Sequence, residues 1–145
     1  MPLLRTVVFP PRWMRALALA GFVLVAANLF WHGAQPYAVG AVPAPWDKLA
    51  HVVLYAGFSG AAWVVLAGRR RTADLLAPIA AIALGVLDEF AQSFSPGRQV
   101  GLWDLAADAS GAILAAMLLA SARHLLRRDE RAHGARPARP GLSPR

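Results

Sequence analysis

Four long apolar segments, separated by short polar or basic stretches, constrain this chain more than any other feature. They cover residues 16–31, 49–67, 75–87 and 105–122. An α-helix needs about 20 residues to cross roughly 30 Å of hydrocarbon, so segments of this kind predict membrane-spanning helices. Composition agrees, because 57% of the 145 residues are hydrophobic and only 16% are charged. A soluble domain of this size needs more polar surface, so we expect an all-α, polytopic membrane protein.

We predict a small bundle of four transmembrane helices, spanning about residues 13–31, 48–67, 74–92 and 104–122. The third apolar segment has 13 residues, which cover about 20 Å at 1.5 Å per residue. To span, its helix must carry Asp88 and Glu89 into the membrane. Residues 1–122 are expected to form one membrane domain. Residues 123–145, rich in arginine, proline and glycine, are predicted to be a disordered basic tail.

The basic residues predict the orientation of the helices. All but two of the 15 Lys and Arg residues precede the first helix, join the second to the third, or follow the fourth. Only Lys48 and Arg98 fall on the other side. Positive residues mark the cytoplasmic side of a membrane protein, so both termini are predicted to be cytoplasmic. The formal charge of +7 is therefore attributed to topology, and no nucleic acid partner is expected.

Small residues recur at four-residue spacing on three of the predicted helices. They are Ala56 and Gly60, then Ala81 and Gly85, then Ala107, Gly111 and Ala115. Small side chains allow helix backbones to approach closely in lipid, where no hydrophobic force drives association. The spacing therefore predicts the packing faces of a tight bundle.

Polar residues within the predicted spans concentrate at the outer ends of their helices. Three pairs share a helix face because their members are four residues apart: Asp47 and His51, Asp88 and Gln92, and Asp104 and Asp108. A charge at mid-membrane costs about 2.5–3.5 kcal/mol and is usually retained for function. We therefore expect the helices to converge on one outward-facing polar pocket, with Lys48 and the loop residue Arg98 beside it.

Two blocks of the sequence resemble the VanZ-like membrane protein family. The first is Asp47-Lys48-x-x-His51, and the second is Asp88-Glu89-x-x-Gln92-x-Phe94-x-Pro96-Gly97-Arg98-x5-Asp104-x-x-Ala107-Asp108-x-x-Gly111. The resemblance covers about residues 46–122, with a departure at Asp108, where the family frequently has asparagine. It implies a multi-pass protein of a bacterial cytoplasmic membrane. The namesake of the family is associated with low-level resistance to the glycopeptide teicoplanin, by a mechanism that is not established.

Two kinds of function are compatible with this polar pocket. In the first, the protein binds or acts on a cell-envelope lipid or a glycopeptide-related ligand. The candidate catalytic residues are then Asp47, His51, Asp88 and Glu89, and the candidate ligand-binding residues are Lys48, Gln92, Arg98, Asp104 and Asp108. In the second, the protein is a non-catalytic scaffold whose polar cluster fixes helix register and binds an envelope partner.

The sequence leaves the choice between an enzyme and a scaffold open. Carboxylates and His could hold a divalent cation, but their spacing is not diagnostic, so neither a metal nor another cofactor is predicted. Membrane lipids are the expected partners, and the oligomeric state is left open. On the third helix, the small-residue stripe favours Glu89 as the carboxylate that faces the bundle and Asp88 as the one nearer its rim.

Overall fold

A computed structural model describes residues 6–38, 40–67, 70–95 and 101–134 of the chain, and within these ranges it contains helices and no strand. The long helices are α1 (Arg12–Gly33), α2 (Trp46–Leu66), α3 (Arg70–Gln92) and α4 (Leu102–Gly134). A short 3₁₀ turn, Pro36–Ala38, lies between α1 and α2. The predicted all-α class is confirmed.

Three helices of the described residues are long and apolar enough to cross a membrane: α1, α2 and the Leu102–Asp129 part of α4. Their outward surfaces are apolar, since Leu17, Leu24 and Leu118 are all largely exposed. An exposed apolar surface of this extent suits contact with lipid. The chain thus has three candidate membrane-spanning helices, as expected of a membrane protein. Helix α3, which carries three carboxylates, is not one of them.

Helix α4 is longer than the sequence analysis predicts. Its predicted span ends at residue 122, but the helix continues to Gly134. Residues 112–133 contain neither glycine nor proline and are rich in alanine, leucine and arginine, which favour helix. The prediction of a disordered tail therefore does not hold for residues 123–134, and residues 135–145 lie outside the described part of the chain.

Helices α2, α3 and α4 contact one another extensively, while α1 packs mainly against α2. The directions of the helices follow from contacts at both ends. The N-terminal halves of α2 and α4 meet where His51 contacts Asp108, and their C-terminal halves meet where Arg123 lies over the Trp63 ring. Because Trp63 also binds Asp74 near the start of α3, that helix runs in the opposite direction.

Close backbone contact joins α2 to α4. A Cβ atom at Gly111 would overlap the carbonyl oxygen of Val52, and would lie 2.8 Å from the carbonyl carbon of the same residue. One residue further along α4, the Ala112 carbonyl accepts a 2.8 Å hydrogen bond from Ser59 Oγ. The predicted small-residue packing is therefore correct at Gly111. It is wrong at Gly60, where an added Cβ would meet nothing within 4 Å.

Candidate functional site at the polar end of the bundle

One end of the bundle collects polar side chains from three helices. We call this group the polar cluster; its members are Asp47, Lys48 and His51 of α2, Asp88, Glu89 and Gln92 of α3, and Asp104 and Asp108 of α4. The structure thus brings together the predicted site residues that it describes. Arg98 lies outside the described residues.

His51 is at the centre of the contacts between α2 and α4. Its Nδ1 atom lies 2.7 Å from Asp108 Oδ1, and its Nε2 atom lies 3.9 Å from Asp104 Oδ1. Because an ionised carboxylate only accepts hydrogen bonds, Nδ1 carries the proton that is donated to Asp108. The Nε2 atom of neutral His51 is then a free base. The Asp108 side chain is 1% exposed and the His51 side chain is 23% exposed. A buried carboxylate therefore holds an imidazole that is partly accessible from outside the protein.

Lys48 joins the starts of α2 and α4. Its ammonium group donates a 2.7 Å hydrogen bond to Asp47 Oδ2 and a second hydrogen bond to Asp104 Oδ1. All three side chains are partly exposed. Asp47 does not cap the helix, because Pro45 holds the N-cap position of α2 and no side chain caps it. The carboxylate in the first turn is still favoured by the helix dipole.

The two adjacent carboxylates near the end of α3, Asp88 and Glu89, are both buried, and they face different neighbours. Asp88 is 1% exposed and accepts a 2.7 Å hydrogen bond from Gln92 Nε2. Glu89 is 4% exposed and accepts a 2.8 Å hydrogen bond from the backbone N–H of Gly101, just before α4. Adjacent helical residues project about 100° apart, so each side chain meets a different helix.

The expectation that Asp88 lies nearer the rim than Glu89 is wrong. A Cβ atom built on Gly33, the last residue of α1, would lie 3.6 Å from Asp88 Oδ1 and from Gln92 Nε2. The end of α1 therefore covers the face of α3 that the sequence analysis takes as its rim. The small residues of α3 do not indicate where α1 lies, and the position of α1 decides which carboxylate is covered.

Tyr55 and Gly85 belong to the site, although the sequence analysis gives neither a role in it. The Tyr55 ring is parallel to the His51 ring with centroids 6.2 Å apart. The tyrosine is fully buried, and its hydroxyl has no hydrogen-bond partner among the described residues. A Cβ at Gly85 would lie 2.8 Å from Asp108 Oδ2 and 3.1 Å from a Tyr55 ring carbon, so a larger residue there would displace the Asp108 carboxylate or the Tyr55 ring. The available signal was spacing, because Tyr55 follows His51 by four residues.

Carboxylates dominate the charge of the described cluster. Five acidic side chains face one lysine and one histidine, so the described part attracts cationic or hydrogen-bond-donating groups. No set of three or more His, Asp or Glu side chains within the described ranges is arranged to hold a metal ion. The chemistry that these residues offer is proton transfer at His51 and hydrogen bonding to a polar ligand.

A second histidine at the same end lies outside the cluster. His32 Nδ1 is 2.5 Å from the Tyr37 hydroxyl, and both residues are exposed. Nearby on α1, the amide of Asn28 donates to the Leu24 carbonyl of its own helix. His32 is therefore a matched control for substitutions of His51.

Comparison of the chain with protein-family models, with curated proteins and with solved structures gives no significant match in any of the three. The resemblance to the VanZ-like family thus depends on the two sequence blocks alone.

Proposed function

We propose that this chain is a VanZ-like protein that spans a bacterial cytoplasmic membrane four times, with both termini in the cytoplasm. Its polar cluster would then lie at the outer surface and bind the polar headgroup of a cell-envelope lipid or a glycopeptide-related ligand. The site would move a proton on that ligand through His51. The observation that carries this proposal is the buried Asp108 that holds the partly exposed imidazole of His51.

The proposed chemistry is general acid–base catalysis. His51 Nε2 accepts a proton from a ligand hydroxyl or from a water molecule, and the resulting imidazolium is stabilised by Asp108 and by Asp104 at 3.9 Å. The imidazolium then returns the proton to a basic oxygen or nitrogen of the ligand, which leaves His51 neutral again. A positioned acid–base residue typically contributes about 10²–10⁴-fold to a rate. Lys48 limits the accumulated negative charge, because it binds both Asp47 and Asp104.

The aromatic residues around the cluster support a ligand at headgroup depth. Trp46 begins α2 and Trp103 lies in the first turn of α4, and both side chains are largely exposed. Trp31 is exposed in the last turn of α1. Exposed tryptophans at helix ends are typical of the interface between lipid and water. A lipid headgroup at this depth would reach His51 without entering the hydrocarbon.

A non-catalytic scaffold is the second candidate, and one observation favours it. Many polar groups of the cluster already have hydrogen-bond partners within the protein. Lys48 donates to two carboxylates. Gln92 donates to Asp88, and the Gly101 N–H donates to Glu89. Networks of this kind can fix helix register without any chemistry. Substitution of His51 separates the two functions, because a scaffold tolerates a neutral hydrogen-bonding replacement.

The test compares the full-length wild type with His51→Gln and with the control His32→Gln, expressed at equal membrane abundance. Lipids that copurify in detergent and total envelope lipids are both identified by mass spectrometry. We expect one envelope lipid to copurify with all three proteins. Relative to cells without the protein, the amount of this lipid in the membrane should change when wild type or His32→Gln is expressed, and should not change with His51→Gln. Copurification without any change would favour the scaffold. Absence of a specific copurifying lipid and of any change would refute the proposal.

The proposed topology is tested separately with reporter fusions. Fusions after Arg71 and after Arg145 should both report the cytoplasm, and a fusion after Gly101 should report the outside. The reason is the accumulation of arginine on one side of the predicted helices. An outside signal at Arg71 would contradict the four-span arrangement.

A further inference from the structure

A second site lies at the other end of the bundle. Here a cavity of about 910 Å³ is lined by four arginines of α4, Arg123, Arg127, Arg128 and Arg131, and by a single carboxylate, Asp74. We call it the basic cavity. It shares no lining residue with the polar cluster, so it has no part in the proton transfer proposed for His51.

The positive charge of the basic cavity exceeds what its own carboxylate can neutralise. Asp74 binds the Arg123 guanidinium and also accepts a 2.9 Å hydrogen bond from Trp63 Nε1. Arg123 lies over the Trp63 ring at 5.3 Å. The pair of Asp74 and Arg123 therefore belongs to the packing of α2, α3 and α4. The other three arginines face the cavity with no further carboxylate among the described residues that line it.

Arg127 gives the most direct indication of an anionic ligand. Its guanidinium lies 5.8 Å above the Phe9 ring, and its Nε atom is buried with no hydrogen-bond partner in the described part of the chain. A buried N–H without an acceptor is costly. Arg127 also lines an adjoining cavity of about 280 Å³ together with Arg15 of α1. Arginines from two helices thus surround one region of the surface.

The surroundings of the cavity favour a lipid over a soluble anion. The candidate span of α4 ends at Asp129, so Arg127 and Arg128 lie in its last turn, where a membrane-spanning helix would meet the lipid headgroups. Leu125, which lines the cavity, and Phe9 beside it are exposed apolar side chains. A ligand with a phosphate and acyl chains would contact both kinds of surface. Guanidinium groups bind phosphate with two parallel hydrogen bonds.

We propose that the basic cavity binds the phosphate of an anionic phospholipid whose acyl chains lie along the exposed apolar residues beside it. This site lies at the end of the bundle that carries most of the arginines. It would anchor α4 and hold the bundle at a fixed depth in the membrane.

The proposal is tested with the full-length protein in detergent, titrated with phosphatidylglycerol, with zwitterionic phosphatidylcholine or with inorganic phosphate, and followed by native mass spectrometry. The double variant Arg127→Gln/Arg128→Gln removes two cavity arginines. Arg12→Gln is the matched control, because Arg12 is exposed at the start of α1 and lines neither cavity. We expect phosphatidylglycerol to bind the wild type in preference to phosphatidylcholine. Affinity should fall about fivefold for each cavity arginine removed and change little in the control.

Every other result overturns the proposal. An equal loss in Arg12→Gln would show general attraction of charge rather than a site. Inorganic phosphate that binds as tightly as the lipid would show an anion site without lipid specificity. If the double variant does not fold, Arg128→Gln alone decides, because its exposed side chain is not part of the buried packing. An unchanged affinity in that folded single variant would then refute the proposal. None of these results depends on His51.

Discussion

Replacement of Gly111 by alanine should separate α2 from α4 and thereby disconnect His51 from Asp108. Gly111 is three residues after Asp108, and Val52 follows His51 directly, so the close contact and the hydrogen bond share one turn of each helix. An added Cβ would lie 2.8 Å from the Val52 carbonyl carbon and would overlap its oxygen. Both atoms belong to the backbone, so no side-chain rotation relieves the clash.

The expected displacement follows from these distances. Carbon atoms pack best at about 3.5–4.0 Å, so a contact at 2.8 Å requires the helices to move apart by roughly 0.7 Å or more. The His51–Asp108 distance is 2.7 Å. An increase of the same size would bring it to about 3.4 Å, beyond the usual 2.7–3.2 Å of an N–H···O hydrogen bond.

The expected loss of stability is a difference between two effects. Overpacking of a close helix contact costs about 1–3 kcal/mol, and the backbone clash places Gly111→Ala in the upper part of that range. Alanine is favoured over glycine in a helix by about 0.5–1 kcal/mol. The net destabilisation should therefore be about 1–2 kcal/mol. Gly57→Ala on α2 is the control, because its added Cβ meets nothing within 4 Å, and it should stabilise the protein slightly.

The assay is the free energy of unfolding in mixed detergent micelles, measured for both variants, together with the activity or lipid retention of the folded fraction. Gly111→Ala should be less stable than wild type and should lose function beyond its loss of folded protein. If Gly111→Ala is as stable as Gly57→Ala, the argument from close helix contact is refuted.

Three further predictions follow from the burial of individual side chains. Tyr55→Phe should leave the free energy of unfolding unchanged or raise it by about 1 kcal/mol, because the buried hydroxyl has no partner among the described residues; a clear destabilisation in an equilibrium unfolding experiment would contradict this. Glu89→Gln and Asp88→Asn should impair function to similar extents at matched membrane abundance, since both carboxylates are buried. A large difference in activity between the two variants would contradict this prediction. Trp63→Phe should destabilise by about 1–3 kcal/mol, because it removes a partly buried hydrogen bond and leaves unfilled volume around a buried ring. Exposed Trp13→Phe should change stability by less than about 0.5 kcal/mol. Equal effects of the two substitutions in thermal unfolding would contradict the burial of Trp63.

Features that depend mainly on the residues of one helix can be predicted from the sequence. The four-residue spacing of Asp88 and Gln92 predicts a shared face, and the two side chains form a 2.7 Å hydrogen bond. Gly111, chosen from small-residue spacing, is a point of close helix contact. Functional roles for the cluster, the VanZ-like resemblance and the part of Arg98 stay predictions.

Predictions failed where a neighbouring helix decides the outcome. Gly60 has the same spacing as Gly111, yet no atom approaches the position of its Cβ. Asp88 is buried because the end of α1 covers it, and nothing in α3 itself indicates that contact. The link from Trp63 to Asp74 at the basic end was likewise missed, because the two residues belong to different helices.

Sequence by itself determined the helical class, the membrane character and the faces on which polar residues lie, because hydrophobicity and helical periodicity act within one segment. Only the tertiary structure decided which side chains contact one another across the helices. Asp108 is the carboxylate that holds His51, the Gly101 N–H binds Glu89, and the arginines of α4 surround a cavity. These contacts depend on the distance between the helix axes and on the register of the helices. Close backbone contacts at glycines set that distance, and they join residues that are far apart in the sequence.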